Sequence, residues 1–148
     1  MNTNKTLRKT YQKKFEQLKQ HIIEKPIQGW IKTIRNFFGM TTAQLAKRLN
    51  ISQSRIVRME QNEKNIKIST MERIADALNC DFVYTFVPRK NINDVIYNQA
   101  KKKALEILNN VNTNMGLENQ LSNDTETLDE LIQELINGNI ARIWDTKN

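Results

Sequence analysis

The chain contains very little cysteine, histidine or glycine. Among its 148 residues there are one cysteine, one histidine and four glycines. Cys80 has no second cysteine with which to form an internal disulfide, and Cys80 and His21 are too few ligands for a soft-metal site. The sequence also has no phosphate-binding glycine loop and no nucleophile paired with a base. These absences argue against an enzyme, and we expect neither a metal nor a cofactor.

Long apolar runs are missing as well. No stretch approaches the roughly 18 apolar residues that span a bilayer, and the N-terminal residues lack the apolar segment of a signal peptide. Hydrophobic residues make up 39% of the chain and charged residues 26%, which is typical of a soluble, folded protein. We therefore expect a cytoplasmic protein that does not bind membranes.

Basic and acidic residues are unevenly distributed along the chain, whose formal net charge is +7. Residues 1–103 carry 21 Lys or Arg and 8 Asp or Glu, whereas residues 104–148 carry 2 and 8. This division indicates two partners, a polyanion for the basic part and a protein or solvent for the acidic part. A solvated surface is the simpler explanation of any one charged run, so charge alone does not establish a partner.

Apolar residues recur at helical spacing through most of the chain. The pattern predicts a mainly α fold, with helices over residues 4–24, 27–38, 42–49, 53–61, 69–78, 93–111 and 125–137. The second of these helices is expected to have a core-facing stripe made of Ile27, Trp30, Ile31, Ile34, Phe37 and Phe38. Near the end of the chain, a small apolar cluster is expected to dock on the protein, namely Ile140, Ile143 and Trp144.

Polar residues supply start and stop signals for the short helices. Thr41 and Gln44 match a capping box, in which the hydroxyl and the amide satisfy N–H groups at the start of a helix. Residues 69–72, STME, predict a second capping box. Asn50 tolerates a left-handed conformation, and Ser52 can cap the helix that follows it. The sequence therefore predicts a helix, a tight turn and a second helix between Thr41 and Gln61.

The second of these two helices, 53–61, has a polar and basic outer face. Ile56 and Met59 point inward, which leaves outside Gln53, Ser54, Val57 and Arg58. A short helix, a three-residue turn and such a second helix form the plan of a helix-turn-helix, whose second helix lies in the major groove of DNA. Polar side chains on that helix can form the paired hydrogen bonds that read base edges. The alternative is a plain αα-hairpin in which Arg55 and Arg58 are ordinary surface charges.

Residues 81–87, DFVYTFV, are rich in aromatic and β-branched residues and stop at Pro88, so they predict one short strand. A lone strand leaves N–H and C=O groups without partners. We expect the strands of two copies to pair antiparallel, which would form a homodimer with two recognition helices on one face. The dimerisation residues are then Phe82, Val83, Tyr84, Thr85, Phe86 and Val87. The alternative is that the strand packs against the tail near Ile143.

The same residues resemble known families. Residues 41–60 (TTAQLAKRLNISQSRIVRME) and 69–78 (STMERIADAL) are similar to the Cro and phage-repressor type of helix-turn-helix. Together with Gly29, Trp30 and the 82–87 run, they make the chain resemble the family called mobile mystery protein A. This resemblance implies an antitoxin-like partner of a Fic-domain protein, which represses the operon that both genes share. The alternative is a stand-alone, phage-type transcriptional regulator without a toxin partner.

The repressor pattern implies roles for individual residues on the DNA. Gln53 and Ser54 open the recognition helix, and Gln53 is the expected reader of an adenine edge. Arg58 would contact guanine through two N–H groups, and Val57 would contact a thymine methyl. The expected phosphate-binding residues are Thr42, Arg55, Asn62, Lys64 and Lys67. Because glycine is usual in place of Asn50, and a second glutamine in place of Ser54, the operator cannot be copied from relatives.

The resemblance to a Fic partner also directs attention to residues 114–119. Known Fic inhibitory segments carry Ser or Thr, three further residues, then Glu and Gly or Asn. Glu118 and Asn119 fit this pattern, whereas Asn114 departs from it at the first position. Glu118 and Asn119 are therefore the candidate toxin contacts.

These predictions divide the chain into four segments. They are a basic N-terminal helix (1–26), a helix-turn-helix module (27–80), a dimerisation strand with a long helix (81–112) and an acidic C-terminal helical tail (113–148). The expected fold is mainly α, with a five-helix-type repressor-like module, helical extensions at both ends and one short strand that pairs across a dimer. The expected partners are double-stranded DNA, a second copy of the chain and a Fic-domain toxin.

Overall fold

A computed structural model describes residues 3–115 and 125–146 and confirms a mainly helical protein. Seven α-helices lie in these residues: α1 (Thr3–Lys19), α2 (Trp30–Phe37), α3 (Thr42–Leu49), α4 (Gln53–Gln61), α5 (Ile68–Ala77), α6 (Ile92–Met115) and α7 (Thr125–Asn137). Two short 3-10 helices are Glu63–Asn65 and Ile140–Trp144. The candidate toxin contacts Glu118 and Asn119 lie outside the described residues.

The chain divides into two compact units. The central unit is Gln20–Phe86 and contains α2 to α5. The terminal unit draws on Met1–Lys19 and Val87–Asn148, and it contains α1, α6 and α7. Each unit has its own hydrophobic core, so the two are described separately below.

Four helices enclose the core of the central unit. Its largest fully buried side chains are Leu45 of α3, Ile56 of α4 and Ile74 of α5. Ile31 of α2 is buried with them. Burying an aliphatic side chain of this size stabilises the fold by about 1.5–3 kcal/mol relative to leaving it exposed. One inward residue from each helix therefore fixes α3 and α4 against the rest of the unit.

The core-facing stripe predicted for α2 is only partly correct. Ile31 is buried and Ile34 packs against the core, but Phe37 and Phe38 are 76% and 59% exposed and Ile27 is fully exposed. The helix begins at Trp30 and ends at Phe37, so Ile27 precedes it and the two phenylalanines lie at its last turn. The prediction was wrong for Ile27 and Phe38 because the helix has only eight residues, and for Phe37 because the core does not cover the last turn.

Helix α1 is shorter than the sequence predicted. It ends at Lys19, whereas the expected helix ran to residue 24. None of its residues is buried. Its attachment to the terminal unit includes a hydrogen bond of 2.9 Å, in which the backbone N–H of Ile92 donates to Oε1 of Gln12. The amphipathic sequence predicted the helix correctly, but none of the apolar residues on its apolar face is buried in a core.

The core of the terminal unit lies between α6, α7 and the final 3-10 helix. Ala100 and Ala104 of α6 are fully buried, and their small side chains let Ile132 of α7 and Ile143 pack closely. The Nε2 of Gln99 donates to the backbone oxygen of Ile143 at 2.7 Å. The predicted docking of the final apolar cluster is thus confirmed for Ile143, which is buried, and for Ile140, which packs against this core, whereas Trp144 is 54% exposed.

One predicted capping box is present and the other is not. The Thr41 hydroxyl accepts from the backbone N–H of Gln44, and the Gln44 amide oxygen accepts from the backbone N–H of Thr41. At the second position, α5 already begins at Ile68, with Lys67 as the N-cap residue and no side-chain cap. Residues 69 and 70 therefore lie inside the first turn, where they cannot act as the N-cap.

The strand predicted for residues 81–87 is not confirmed. Residues 80–88 form neither helix nor strand, and no strand occurs within residues 3–115 and 125–146. Alternating, β-branched side chains favour an extended chain, but a strand also needs a neighbour with which to form a ladder of hydrogen bonds. The described part of one chain offers no such neighbour, and the expected pairing across a dimer remains a proposal.

Two kinds of feature do not occur in the described residues. None of the helices there is both long and apolar enough to cross a membrane. No three His, Cys, Asp or Glu side chains of these residues cluster as ligands for a metal ion.

Candidate nucleic-acid interface

The turn between α3 and α4 follows from the residues at 50 to 52. Asn50 adopts the left-handed conformation, with φ 54° and ψ 45°, and the backbone N–H of Ile51 donates to the oxygen of Ala46 at 3.0 Å. The Ser52 hydroxyl then accepts from the backbone N–H of Arg55 at 3.3 Å and caps α4. Both predictions, the left-handed Asn50 and the Ser52 cap, are confirmed. The tight turn sets the angle at which α4 leaves α3.

The two sides of α4 differ in polarity. Ile56 is completely buried and Met59 packs against the core. The outer side consists of exposed residues, namely Gln53, Ser54, Val57, Arg58 and Gln61. It contains no acid, because Glu60, the acidic residue of this helix, lies on the inner side. The structure therefore brings all four predicted base-reading residues to one exposed, polar and cationic surface, which we call the α4 outer face.

A hydrogen bond joins the first residues of α3 and α4. The Nε2 of Gln53 donates to the Oγ1 of Thr42 at 2.8 Å. Gln53 is exposed and Thr42 is half-buried. A side chain that is already held in place loses less rotamer entropy when it binds a ligand. The predicted adenine reader and a predicted phosphate contact are thus neighbours at one end of the helix pair.

The other predicted phosphate contacts surround the α4 outer face. Arg55 is exposed on the flank of α4, one turn before Met59. Asn62 follows the end of α4, and its Oδ1 accepts from Nδ2 of Asn65 at 2.6 Å. Lys64 and Lys67 are both exposed in the segment that leads to α5. Three of these four side chains therefore follow one another in the chain directly after α4.

Sequence reasoning missed a buried ion pair that holds α4 from within. The Nε of Arg35 lies 2.6 Å from Oε1 of Glu60, and its Nη2 donates to Oε2 of Glu60 at 3.2 Å. The Nη1 of Arg35 also donates to the backbone oxygen of Met40 at 2.8 Å. The two side chains are only 9% and 8% exposed. The helical spacing of Arg35 with Ile31 was a signal for an inward position, but nothing local in the sequence identifies Glu60 as its partner.

Sequence reasoning also missed Glu63, which closes the start of α2. One carboxylate oxygen accepts from the backbone N–H of Ile31 at 2.8 Å, and the other accepts from that of Trp30 at 3.1 Å. The Nζ of Lys25 lies 2.9 Å from the second oxygen. A carboxylate here satisfies N–H groups that a helix leaves unbonded and interacts favourably with the helix dipole. Because the cap comes from 32 residues further along the chain, no local motif predicts it.

Gly29 is required next to this carboxylate. Its φ is 82°, in the region that favours glycine, and a Cβ at this position would lie 3.0 Å from Oε2 of Glu63. Both the backbone conformation and the close approach would therefore strain any residue with a side chain at this position. The helix therefore starts at Trp30 and not at residue 27 as predicted, and the Glu63 contact supplies the physical reason.

The pKa of the Glu63 carboxyl is lowered from its ordinary value of 4.5. Burial of the side chain raises this pKa, but the hydrogen bonds from Ile31, Lys25 and Trp30 and the charge of Lys25 favour the ionised form. Their combined effect outweighs burial. Glu63 therefore caps α2 as a carboxylate at neutral pH.

Comparison with known families gives a match over the central unit alone. Residues 31–84 match a family model described as Helix-turn-helix, which supports the resemblance to the Cro and repressor type. Comparison with curated proteins and with solved structures gave no match. The matched residues include α3, the turn at Asn50, α4 and α5. Residues 31–84 are therefore a helix-turn-helix of the kind that DNA-binding transcription regulators use.

Proposed function

We propose that this protein is a transcriptional repressor that binds a short duplex DNA operator sequence-specifically, with α4 in the major groove. The observation that carries the proposal is the α4 outer face, which is exposed, basic and free of acids. The buried Arg35–Glu60 pair and the Ser52 cap hold this helix in one orientation. A helix held in this way can keep its side chains in register with base edges, which direct readout requires.

Within this proposal, the residues of the interface divide into two groups. Arg58 reads guanine, Gln53 reads adenine, and Val57 and Ser54 contact neighbouring bases. The phosphate contacts orient the protein without specifying the sequence, and they are Thr42, Arg55, Asn62, Lys64 and Lys67. The hydrogen bond between Gln53 and Thr42 places one member of each group side by side.

The test is a footprint on DNA upstream of the gene, followed by titrations of the protected site and of random DNA of equal length. Arg58→Ala should weaken binding to the protected site by about 1–3 kcal/mol and relax the preference at one base pair. The matched control is Lys64→Ala, which removes one charge from the predicted phosphate contacts. It should weaken binding to the protected site and to random DNA equally. Equal losses on the two DNAs for Arg58→Ala would exclude base reading by this residue. The absence of any protected site would contradict the proposal as a whole.

A homodimer is part of the proposal, and the segment 81–87 is its interface. Val83, Tyr84 and Phe86 are 83%, 60% and 94% exposed, although Phe82 packs against the core of the central unit. The ring of Tyr84 lies 5.7 Å from that of Phe82. Large apolar residues in an irregular segment whose backbone has no ladder partner favour pairing with the same segment of a second copy. A two-fold dimer would then bind a palindromic site with half-sites about 34–36 Å apart.

Phe86→Glu tests this interface. A charge on this apolar side chain, which is 94% exposed within the pairing segment, should convert the dimer to a monomer in light scattering at micromolar concentration. Phe37→Glu, at another exposed phenylalanine of the central unit, is the matched control and should leave the dimer intact. A wild-type protein that is monomeric under these conditions would contradict the dimer but not the DNA-binding role.

The resemblance to mobile mystery protein A extends the proposal to an antitoxin role. Four acidic side chains, Glu126, Asp129, Glu130 and Glu134, are exposed on α7 of the terminal unit, and they favour a protein partner over DNA. Glu118 and Asn119 are the proposed contacts with a Fic-domain toxin. Co-expression with the product of a neighbouring Fic gene should yield a stable complex. If no complex forms, the stand-alone regulator is the correct alternative.

A further inference from the structure

Helix α1 carries a positive charge that the rest of the protein does not neutralise. Its cations are Lys5, Arg8, Lys9, Lys13, Lys14 and Lys19, and its acid is Glu16. Within the described part of the chain, none of these cations forms an ion pair. The carboxylate of Glu16 accepts a hydrogen bond from the amide of Gln12 instead. The helix also lacks an acid in its first turn, so its charge is available to an external anion.

Three of these lysines form a row. Lys5, Lys9 and Lys13 recur every four residues, which places them along one face of α1, about 6 Å apart along the helix axis. All three are exposed. Leu7, which is 51% exposed, and Tyr11 lie on the opposite face. We call the row of three lysines the α1 basic face.

The chemistry of the α1 basic face fits a polyanion without a fixed sequence. Lysine is a flexible, strongly hydrated point charge, whereas arginine provides the rigid fork that reads bases and bidentate groups. Phosphate contacts of this kind neutralise the DNA backbone and release counterions, with no need for precise placement. The absence of buried residues in α1 is compatible with such a contact, whereas base reading requires a fixed helix.

The apolar side of α1 does not favour a membrane surface instead. A helix that lies in the membrane interface needs a continuous apolar face. Here Lys14 lies within the apolar side, and its Nζ is 5.1 Å from the centre of the Tyr11 ring. Duplex DNA is the polyanion that the central unit of the same chain is proposed to hold. Because residues 20–29 join α1 to α2, DNA bound by α4 would meet α1 at a high effective concentration.

We propose that the α1 basic face binds the phosphate backbone of DNA that flanks the base pairs read by α4. This inference rests on the proposed function of the α4 outer face and extends it to a second, sequence-independent contact. Its consequence is that a duplex longer than the reading site is bound more tightly and with a steeper dependence on salt. Specificity, in contrast, should not change.

The experiment measures binding affinity against salt concentration on two duplexes. One contains the protected operator alone, and the other adds about ten base pairs, one turn, of unrelated sequence at each end. The variants of the full chain are Lys9→Gln with Lys13→Gln, and as matched control Lys101→Gln with Lys102→Gln on α6. Both double variants lose the same charge at exposed positions of the terminal unit, so a general field effect would change both equally.

On the long duplex, the plot of log affinity against log salt should be less steep for the α1 variant by about 2. Each phosphate contact contributes about 0.9 to the steepness, and the variant loses two lysines. Between 50 and 200 mM salt, its affinity should therefore fall about 12-fold less than that of wild type. The short duplex and the control variant should give the wild-type slope. Lys9→Arg with Lys13→Arg should restore the slope, because the charges are kept.

Three results would overturn the inference, and they are distinguishable. An unchanged slope for the α1 variant, with Arg58 still needed for operator binding, removes the α1 contact but leaves the proposed function intact. A change in oligomeric state by light scattering, with the slope unchanged, assigns the α1 basic face to a protein contact. If wild type binds neither duplex, the proposed function fails and this inference fails with it. Circular dichroism of each variant verifies that α1 remains helical.

Discussion

Helices α4 and α1 are both amphipathic and basic, but the protein holds them in different ways. α4 buries Ile56 completely, and its acid Glu60 pairs with Arg35 inside the central unit. α1 buries no residue, and its lysines are exposed and form no ion pairs in the described residues. A positive charge can attract DNA from either helix, but only a helix with fixed side-chain positions can distinguish base pairs. The buried contacts of α4 suit it to the proposed reading of base pairs. Helix α1, which has no buried residue, is suited only to attracting the DNA backbone.

The largest expected effect comes from removing the internal anchor of α4. Arg35→Ala would leave the Glu60 carboxylate buried without its partner, and we expect a loss of about 3–5 kcal/mol in the free energy of unfolding. Urea unfolding measures this loss. The matched control is Arg58→Ala, which removes an exposed arginine from the same unit and should change stability by less than about 0.5 kcal/mol. Similar effects for the two variants would remove the distinction between anchored and outward-facing charges.

A smaller loss of stability is expected from a substitution at Gly29, where the start of α2 contacts Glu63. Gly29→Ala would place a methyl group against the Glu63 carboxylate at a residue with φ 82°, and it should cost about 1–3 kcal/mol. Gly39→Ala is the matched control, since Gly39 also has a positive φ, 64°, but open space around its Cβ position. In thermal unfolding, the midpoint temperature should decrease more for Gly29→Ala than for Gly39→Ala. Equal decreases would mean that backbone conformation alone, and not the Glu63 contact, accounts for the glycine.

The smallest effect is a dependence of stability on pH that belongs to the central unit. Because the pKa of Glu63 is lowered in the folded protein, its contribution to stability is complete above the ordinary value of 4.5 and is lost as pH falls through the folded pKa. Glu63→Gln should therefore reduce the loss of stability on acidification below that value. The test is to measure the free energy of unfolding against pH, above and below 4.5, for wild type and variant. Parallel curves for the two proteins would contradict the prediction.

The sequence predicted those parts of the fold whose cause is local. The Thr41–Gln44 box, the left-handed Asn50 and the bounds of α7 depend on residues within a few positions of one another. The errors also share a cause. Phe37, Phe38 and Trp144 are apolar residues that continue a helical pattern, and the pattern does not say where the helix ends or how far the core extends. Helical spacing defines a face, whereas packing determines how much of that face is covered.

The candidate site divides along the same line. Spacing and polarity together predicted that Gln53, Ser54, Val57 and Arg58 lie outside while Ile56 lies inside, and all four are exposed in the structure. That the protein holds this face rigidly depends on Arg35 with Glu60 and on Glu63 with the start of α2. The members of these contacts are 25 and 32 residues apart.

Residue types and their spacing were thus sufficient to predict α4 and its outward side chains, since these follow from the geometry of one helix. The partners that hold the helix in place emerged from the folded chain, because a charged residue does not encode which distant charge or backbone N–H it will meet. Burial then decides the strength of each charge interaction. The pair between Arg35 and Glu60 is shielded from water and interacts strongly, whereas the lysines of α1 are exposed to water, which weakens their interactions.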